Sequence, residues 1–330
     1  MRSKLLLLVV IATFCLPIVI GEASQTQDEG EFTQQWSLDF GEVYVSTKPI
    51  SSDSGIFVRT SSSSLAQGIP SVYSLNFAGD EVWRVENPNS TFQDMTPLEY
   101  VDSGVGDCGS WPDMVLVGWS NGLFQALNAN TGTIVWQYQT EVNSWGITGS
   151  MLIEDETVTI PTRQGIDKLC LDGAIQFSHE IGLGWRNGVT LVGESYWVGD
   201  EEGNLWSANK QNATNYFIAQ GKIRHAPIQL SDDNLLIHLQ TDSGSTIYHF
   251  NTTSEQSSVV TYSGYSPGIP IIFGDYVITT DSQYLTSISC GVQCTVKDSE
   301  TFKSNGEISI VFGTPLSSQQ SRPLVKNSTK

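Results

Sequence analysis

The stretch Ala126-Leu-Asn-Ala-Asn-Thr-Gly-Thr-Ile-Val-Trp136 decides the fold of this 330-residue chain. Leu127 ends an apolar run, Asn128 follows it, and Gly132 precedes the aromatic Trp136 by four residues. A short Asn side chain accepts hydrogen bonds from the backbone of a following turn, and glycine adopts a positive φ without steric cost. The stretch therefore predicts a β-hairpin whose returning strand carries a packing aromatic residue.

The same frame recurs along the chain and defines a repeat. An apolar residue that ends a strand is followed each time by a short polar residue, and neighbouring copies are 37 to 52 residues apart. Most copies have two further β-rich runs upstream, which gives four strands per unit. Such units are typical of a β-propeller, and we find none of the long amphipathic helices that a parallel β/α fold needs. The apolar column reads Leu75, Leu127, Leu171, Ala208, Phe250 and Ile288, and the polar column reads Asn76, Asn128, Asp172, Asn209, Asn251 and Ser289.

An isolated aromatic segment around Trp36 precedes the six legible units. We expect its strand to complete the last blade and close the ring, which removes exposed sheet edges. The other strands of that blade are expected within residues 300–318. The predicted fold is all-β, a β-propeller of four-stranded antiparallel blades, seven in number, with six or eight as alternatives. The predicted domains are a signal peptide at 1–23, a flexible N-terminal segment at 24–35, the propeller at 36–316 and a polar C-terminal tail at 317–330.

The unit resembles the pyrroloquinoline-quinone-like (PQQ-like) propeller repeat. Residues Ala126 to Trp136 match the tryptophan-docking pattern of that family, Ala-Leu-Asn/Asp-x-x-Thr-Gly-x-x-x-Trp. The family includes quinone-dependent alcohol and sugar dehydrogenases, and also non-enzymatic members such as the outer-membrane assembly lipoprotein of the BamB kind. The resemblance implies the fold, whereas function must be argued from a site.

The catalytic features of the quinone enzymes do not transfer to this sequence. Their alcohol-oxidising members have two adjacent cysteines over the quinone, and here no two cysteines adjoin. They also hold calcium with Glu, Asn and Asp side chains, but Asp200-Glu201-Glu202 is interpreted as a hairpin turn rather than a cation loop. No Gly-x-Ser-x-Gly or His-Glu-x-x-His motif occurs. We therefore expect no enzyme activity, no catalytic residue and no cofactor, with a PQQ- and calcium-dependent dehydrogenase as the alternative.

The beginning of the chain has the order of a secretory signal. Arg2 and Lys4 precede an uncharged apolar run from Leu5 to Ile20, and small residues lead to Ala23, after which cleavage is expected. A retained anchor is the alternative, although the run is short for a membrane span. No later segment is long and apolar enough to span. The sequence thus predicts a secreted or cell-surface protein.

The chain carries a net charge of −19, which repels phosphate backbones. We therefore expect no nucleic-acid partner, and we interpret the acidity as a solubility feature.

Four cysteines lie beyond the signal, an even number that permits disulfides in an exported chain. Cys290 and Cys294 flank a short turn and could bridge it, and Cys108 could pair with Cys170. The four histidines have no compact zinc spacing with these cysteines, so no metal site is predicted. Glycosylation sequons are present at Asn89, Asn212, Asn251 and Asn327.

Residues just before the innermost strands are candidates for a binding site. In a propeller, the loops that enter the innermost strands share one face with the loops that join the second strand to the third. Aromatic and cationic side chains on this face suit a planar, anionic or glycan ligand, or the centre of a protein contact. The competing interpretation is that the aromatic residues fill gaps between blades. The candidates are Trp145, Trp185, Arg186, Arg224, His225 and Tyr265.

The sequence thus predicts an exported, non-enzymatic scaffold that binds a protein or glycan through one propeller face. The alternatives are the quinone-dependent oxidoreductase and a BamB-like assembly factor for envelope proteins. The long insertion at residues 102–113 is expected to fold over the opposite face.

Overall fold

A computed structural model describes residues 35–62, 67–90, 94–142, 144–185, 187–264, 270–281, 284–290, 294–301, 308–311 and 324–327. The predicted signal peptide, residues 1–23, lies outside the described residues. The chain divides into two units, Met1–Leu38 and Asp39–Lys330, and the strands that the structure describes belong to the second. Among the described residues, no helix is long and apolar enough to cross a membrane.

Within the described part of residues 43–301, the strands form six consecutive antiparallel sheets of four or five strands, which are blades of a β-propeller. Blade 1 has five strands: β1 (Val43–Val45), β2 (Ile50–Ser52), β3 (Gly55–Ser62), β4 (Ser71–Leu75) and β5 (Glu81–Glu86). Blade 2 consists of β6 (Glu99–Val101), β9 (Met114–Gly118), β10 (Leu123–Asn128) and β11 (Ile134–Gln139), with an inserted hairpin of β7 (Gly104–Gly106) and β8 (Gly109–Trp111). Blade 3 consists of β12 (Leu152–Glu154), β13 (Thr157–Pro161), β14 (Gly165–Cys170) and β15 (Ile175–Glu180).

The second half of the chain repeats the four-stranded arrangement. Blade 4 consists of β16 (Val189–Val192), β17 (Ser195–Gly199), β18 (Asn204–Ala208) and β19 (Ala213–Phe217). Blade 5 consists of β20 (Ile228–Ser231), β21 (Asn234–Thr241), β22 (Gly244–Asn251) and β23 (Gln256–Ser263). Blade 6 consists of β24 (Ile271–Phe273), β25 (Tyr276–Thr280), β26 (Tyr284–Cys290) and β27 (Cys294–Thr301). A separate pair, β28 (Ile308–Val311) and β29 (Leu324–Asn327), follows.

The two repeat columns have the roles that the sequence predicts. Every residue of the apolar column is buried, with at most 1% exposure. Within the described residues, five of the six polar residues accept backbone hydrogen bonds within their turns: Asn128 Oδ1, for example, accepts from the amides of Asn130 and Thr131, both at 3.0 Å. These bonds satisfy turn amides that no strand partner reaches.

The aromatic residue of the repeat joins neighbouring blades. The sequence predicts only that this residue packs on its own returning strand. Trp136 of blade 2 donates its indole N–H to the carbonyl oxygen of Leu171 in blade 3, at 2.7 Å. Its ring lies against Gly173, where a Cβ atom would come within 3.0 Å of the ring. Trp83 of blade 1 contacts blade 2 in the same way, at 2.9 Å from the carbonyl oxygen of Ala129. The glycine of the repeat is therefore required for a close approach as well as for its positive φ.

The hydrophobic core lies between the blades. One cluster combines Phe57 and Trp83 of blade 1 with Leu98, Val115 and Trp119 of the next blade region. Similar clusters join blade 2 to blade 3 and blade 4 to blade 5. Because each blade buries its faces against its neighbours, the repeat is stable only as a series.

A buried ion pair also joins blades 1 and 2. Arg59 Nη2 lies 3.0 Å from Asp94 Oδ1, and both side chains are fully buried. The guanidinium also donates to the carbonyl oxygen of Thr96 and lies 5.0 Å from the ring centroid of Trp119. The same carboxylate oxygen accepts from the amide of Ser120 at 2.7 Å. Several donors thus compensate for the removal of both charges from water.

Two features differ from the sequence predictions. Residues 35–40 form no strand, so the predicted strand around Trp36 is wrong. The inner position of blade 1 is filled instead by β1 and β2, which both pair with β3. Strand β29 lies within residues 317–330, for which the composition predicts a polar tail, and pairs with β28. The blade number of seven stays a prediction.

Candidate functional site

The loops that precede the innermost strands are held together by backbone hydrogen bonds. The strands of each blade alternate in direction, so these loops share one end of the propeller with the loops between second and third strands. The amide of Gly146 donates to the carbonyl oxygen of Ser120, and that of Arg163 to the carbonyl oxygen of Gly146, at 2.8 and 2.7 Å. The amide of Gly184 continues the chain of contacts to the carbonyl oxygen of Arg163, at 3.1 Å. Loops of consecutive blades are thus fixed relative to one another.

Three of the six predicted site residues come into contact on this end of the propeller. The rings of Trp145 and Trp185 have centroids 4.8 Å apart and are tilted by 57°. The guanidinium carbon of Arg224 lies 4.4 Å from the ring centroid of Trp185. The three residues precede the innermost strands of blades 3, 4 and 5, so the contact spans three blades. We call the surface formed by Trp145, Arg163, Trp185, Glu201 and Arg224 the loop face.

Glu201 neutralises Arg224, a pairing that no sequence motif predicts. Arg224 Nε and Nη2 each lie 2.7 Å from one carboxylate oxygen of Glu201, a bidentate pair. The two side chains are 12% and 22% exposed. The prediction that Arg224 grips an anionic ligand is therefore not supported by the geometry, because its charge already has a partner. Glu201 lies 23 residues from Arg224 in the sequence. The sequence indicates the pair only by placing both residues in loops at the same end of the propeller.

The turn Asp200-Glu201-Glu202 does not fit a calcium site. The carboxylate of Asp200 accepts from the amides of Glu202 and Asn204, at 2.9 and 2.8 Å, and from the Trp206 indole at 2.9 Å. Its oxygens thus stabilise the turn, and Glu201 is paired with Arg224. Within the described residues, no group of three or more His, Cys, Asp or Glu side chains could hold a metal ion.

Trp145 has an unusual backbone conformation. Its φ is +58°, in the left-handed region that bulky residues rarely adopt. The next amide, Gly146, is hydrogen-bonded to blade 2, and its carbonyl oxygen accepts from Arg163. Neighbouring backbone bonds thus hold a strained residue in place, and strain of this kind is concentrated at functional sites.

The remaining predicted site residues are placed differently. His225 is 7% exposed, and its ring lies 5.0 Å from that of His238 of β21, so it faces the interior. His238 is 3% exposed, and neither of its ring nitrogens has a hydrogen-bond partner among the residues that the structure describes. Burial lowers the pKa of His238 to about 4. Arg186 and Tyr265 lie outside the described residues.

The insertion of blade 2 is attached covalently to blade 3. Cys108 forms a disulfide with Cys170, and the amide of Cys108 donates to Glu156 Oε2 at 2.8 Å. Cys290 and Cys294 form a second disulfide, between β26 and β27. Of the predicted sequons, Asn89 and Asn212 are exposed and Asn251 is half-buried, and the side chain of Asn327 lies outside the described part.

A polar pocket of about 140 Å³ lies between blades 2 and 3 and has no counterpart in the sequence predictions. Its lining includes Tyr138 and Asp167, and the Asp167 carboxylate accepts a hydrogen bond from the Ser178 hydroxyl. Burial raises the pKa of Asp167, and it raises that of Tyr138 to about 12, aided by the nearby Asp167 carboxylate. The raised pKa values thus follow from burial and from neighbouring groups of the protein, and we propose no ligand for this pocket.

Comparison with known proteins supports the fold. No family model and no curated protein matches the chain. BamB from Moraxella catarrhalis has a similar solved structure, with a TM-score of 0.60 and 20% identity over 82% of this chain and 79% of that chain. The computationally designed Ika8 protein is also similar, with a TM-score of 0.53 and 12% identity over 83% of this chain and 79% of that chain. At these identities the similarity shows the fold alone.

Proposed function

We propose that this chain is an exported, non-enzymatic PQQ-like β-propeller scaffold that binds a protein partner through the loop face. The observation that carries the proposal is the cluster of Trp145, Trp185 and Arg224, which three separate loops bring into contact. Trp and Arg are the residues most enriched at the energetic centres of protein interfaces. The propeller supplies a rigid support on which loops can specify a partner.

A protein fits this surface better than a glycan does. Arg224 covers one part of Trp185, and Trp145 packs against it on another, so Trp185 offers little open ring face for a sugar. The Arg224–Glu201 pair is largely shielded from water. A preformed, partly desolvated cluster of this kind suits an interface centre, where surrounding contacts exclude water.

Two observations support export. The disulfides Cys108–Cys170 and Cys290–Cys294 suit an oxidising compartment. The exposed sequons Asn89 and Asn212 would accept glycans there.

Photo-crosslinking tests the partner and the face together. A photoreactive phenylalanine analogue placed at Trp145 should crosslink a discrete protein in the producing organism. The same analogue at Phe77, 60% exposed in a turn at the opposite end of the propeller, is the matched control and should not. Equal crosslinking from both positions, or none from Trp145, would contradict the proposal.

The captured protein is then purified and titrated against the chain. Trp185→Ala should weaken its binding by roughly thirtyfold, the size expected for an interface hot spot, and Phe77→Ala by less than about twofold. Equal effects of the two substitutions would contradict a role for this face.

A separate experiment tests the absence of enzyme activity. The purified chain, incubated with pyrroloquinoline quinone and calcium, should retain no quinone absorbance and should reduce no dye with alcohols or sugars. Stoichiometric bound quinone with turnover would overturn the non-enzymatic proposal.

A further inference from the structure

Arg163 lies beside Trp145 and is attached to the backbone on both sides of it. Its amide donates to the carbonyl oxygen of Gly146 at 2.7 Å, and its Nη1 donates to the carbonyl oxygen of Ser144 at 3.2 Å. Arg163 belongs to the loop between the second and third strands of blade 3. These bonds place its exposed guanidinium next to the strained aromatic residue of the loop face.

Among the residues that the structure describes, no carboxylate pairs with the charge of Arg163. Of the arginines in the described part of the chain, Arg59, Arg84 and Arg224 each have a carboxylate within 4.0 Å, whereas Arg163 has none. Its Nε and Nη2 groups make no hydrogen bond within the described residues and lie on a side chain that is exposed to solvent. In a chain of net charge −19, this is an available cation on a surface where Arg224 is neutralised.

We infer that Arg163 recognises a carboxylate of the protein partner, while Trp145 contacts an apolar side chain beside that carboxylate. The inference rests on the proposed function and specifies the chemistry of the partner. A guanidinium presents parallel N–H groups that match the two oxygens of a carboxylate, and Arg163 keeps its Nε–Nη2 edge for this pairing. The partner segment is therefore an acidic residue next to an apolar one.

A protein carboxylate is favoured over an acidic polysaccharide by the charge of the whole chain. A polyanion would bring many negative charges close to a chain of net charge −19, which repels it. A protein segment can present a single carboxylate to Arg163 with neutral or basic residues around it. The recognition is then local, and it should weaken as salt is added.

A displayed library of random twelve-residue peptides, selected on the purified mature chain, tests the inference without a known partner. Selected peptides should contain Asp or Glu beside an apolar residue. Arg163→Gln should weaken their binding at least roughly tenfold, and Arg163→Lys should restore part of it, since an ammonium cannot make the bidentate pair. Arg84→Gln, at an exposed arginine of blade 1, is the matched control and should have no effect.

A double-mutant cycle measures the coupling between Arg163 and the peptide carboxylate, which a purely structural role of Arg163 would not produce. Changing the acidic residue of a selected peptide to its amide should weaken binding to the wild-type chain by about tenfold but leave binding to the Arg163→Gln chain unchanged. Additive effects of the two changes would overturn the inference. The melting temperature of the Arg163→Gln chain should equal that of the wild type, because the side chain is exposed.

The outcomes separate this inference from the proposed function. Peptides that bind the Arg163→Gln chain as tightly as the wild type, but bind the Trp185→Ala chain more weakly, would overturn the carboxylate pairing and leave the protein-binding face intact. Peptides whose binding is unchanged by either substitution, or the selection of no peptide at all, would overturn the inference and the proposed function together. Binding of uronate oligosaccharides, sensitive to Arg163→Gln, in the absence of peptide binding would overturn the choice of a protein partner.

Discussion

Replacing Trp145 by glycine separates a binding role from a packing role. The φ of +58° costs a non-glycine residue about 1–2 kcal/mol, which glycine does not incur. Against this relief stand the lost ring contact with Trp185, about 0.5–1.5 kcal/mol, and the larger conformational entropy of unfolded glycine, about 0.5–1 kcal/mol. The free energy of unfolding of Trp145→Gly should therefore stay within about 1 kcal/mol of the wild-type value. A residue that merely fills the gap between blades would lose about 3–5 kcal/mol on truncation.

The assay compares glycine and alanine at two positions by urea denaturation at neutral pH. At Trp145, glycine should be more stable than alanine by about 0.5–1 kcal/mol, because the strain of about 1–2 kcal/mol that alanine keeps exceeds the entropic cost of about 0.5–1 kcal/mol that glycine carries. At Trp185, whose φ is not positive, alanine should be the more stable of the two by about 0.5–1 kcal/mol. Trp136→Ala removes a residue that joins two blades and serves as the reference: its free energy of unfolding should fall by about 3–5 kcal/mol. The same order of glycine and alanine at both positions, or a loss for Trp145→Gly equal to that for Trp136→Ala, would refute the reasoning.

Three further perturbations test the structure. Asp94→Ala should cost about 3–5 kcal/mol in urea denaturation, because Arg59 would remain charged and buried; a loss below about 1 kcal/mol would contradict the buried pair. His238 has a folded pKa of about 4, below its unfolded value of about 6.5, so its contribution is present above pH 6.5 and is lost as pH falls. The wild type should therefore lose about 2 kcal/mol relative to His238→Leu between pH 7 and pH 5, and parallel stability curves would exclude this role. Removing both Cys108 and Cys170 by serine substitution should cost about 4 kcal/mol, since the disulfide closes a loop with a sequence separation of 62; an unchanged unfolding midpoint would show that the crosslink is not stabilising.

The fold is predictable from the sequence because the repeat acts locally. Asn128 and the equivalent residues bond to their own turns, and Leu127 and its column are buried in every copy. Both roles need only a few neighbouring residues, so the sequence shows them directly. Trp36 is the exception: an aromatic residue alone does not specify a strand, and β1 and β2 fill the inner position of blade 1 instead.

The candidate site was predictable in position but not in chemistry. Blade topology places Trp145, Trp185 and Arg224 at one end, and the structure brings them together. Which cations are paired depends on contacts between loops of different blades, which no sequence spacing specifies. No motif therefore predicts that Glu201 neutralises Arg224, or that Arg163 is the arginine of the described residues that has no ion pair.

The binding role of the loop face is tested most directly by the affinity of the crosslinked and purified partner for Trp145→Gly, measured beside its stability. The variant should unfold at nearly the wild-type urea concentration and bind the partner at least roughly tenfold more weakly. Undiminished affinity in a stable Trp145→Gly chain would contradict the proposal that this strained residue contacts a protein.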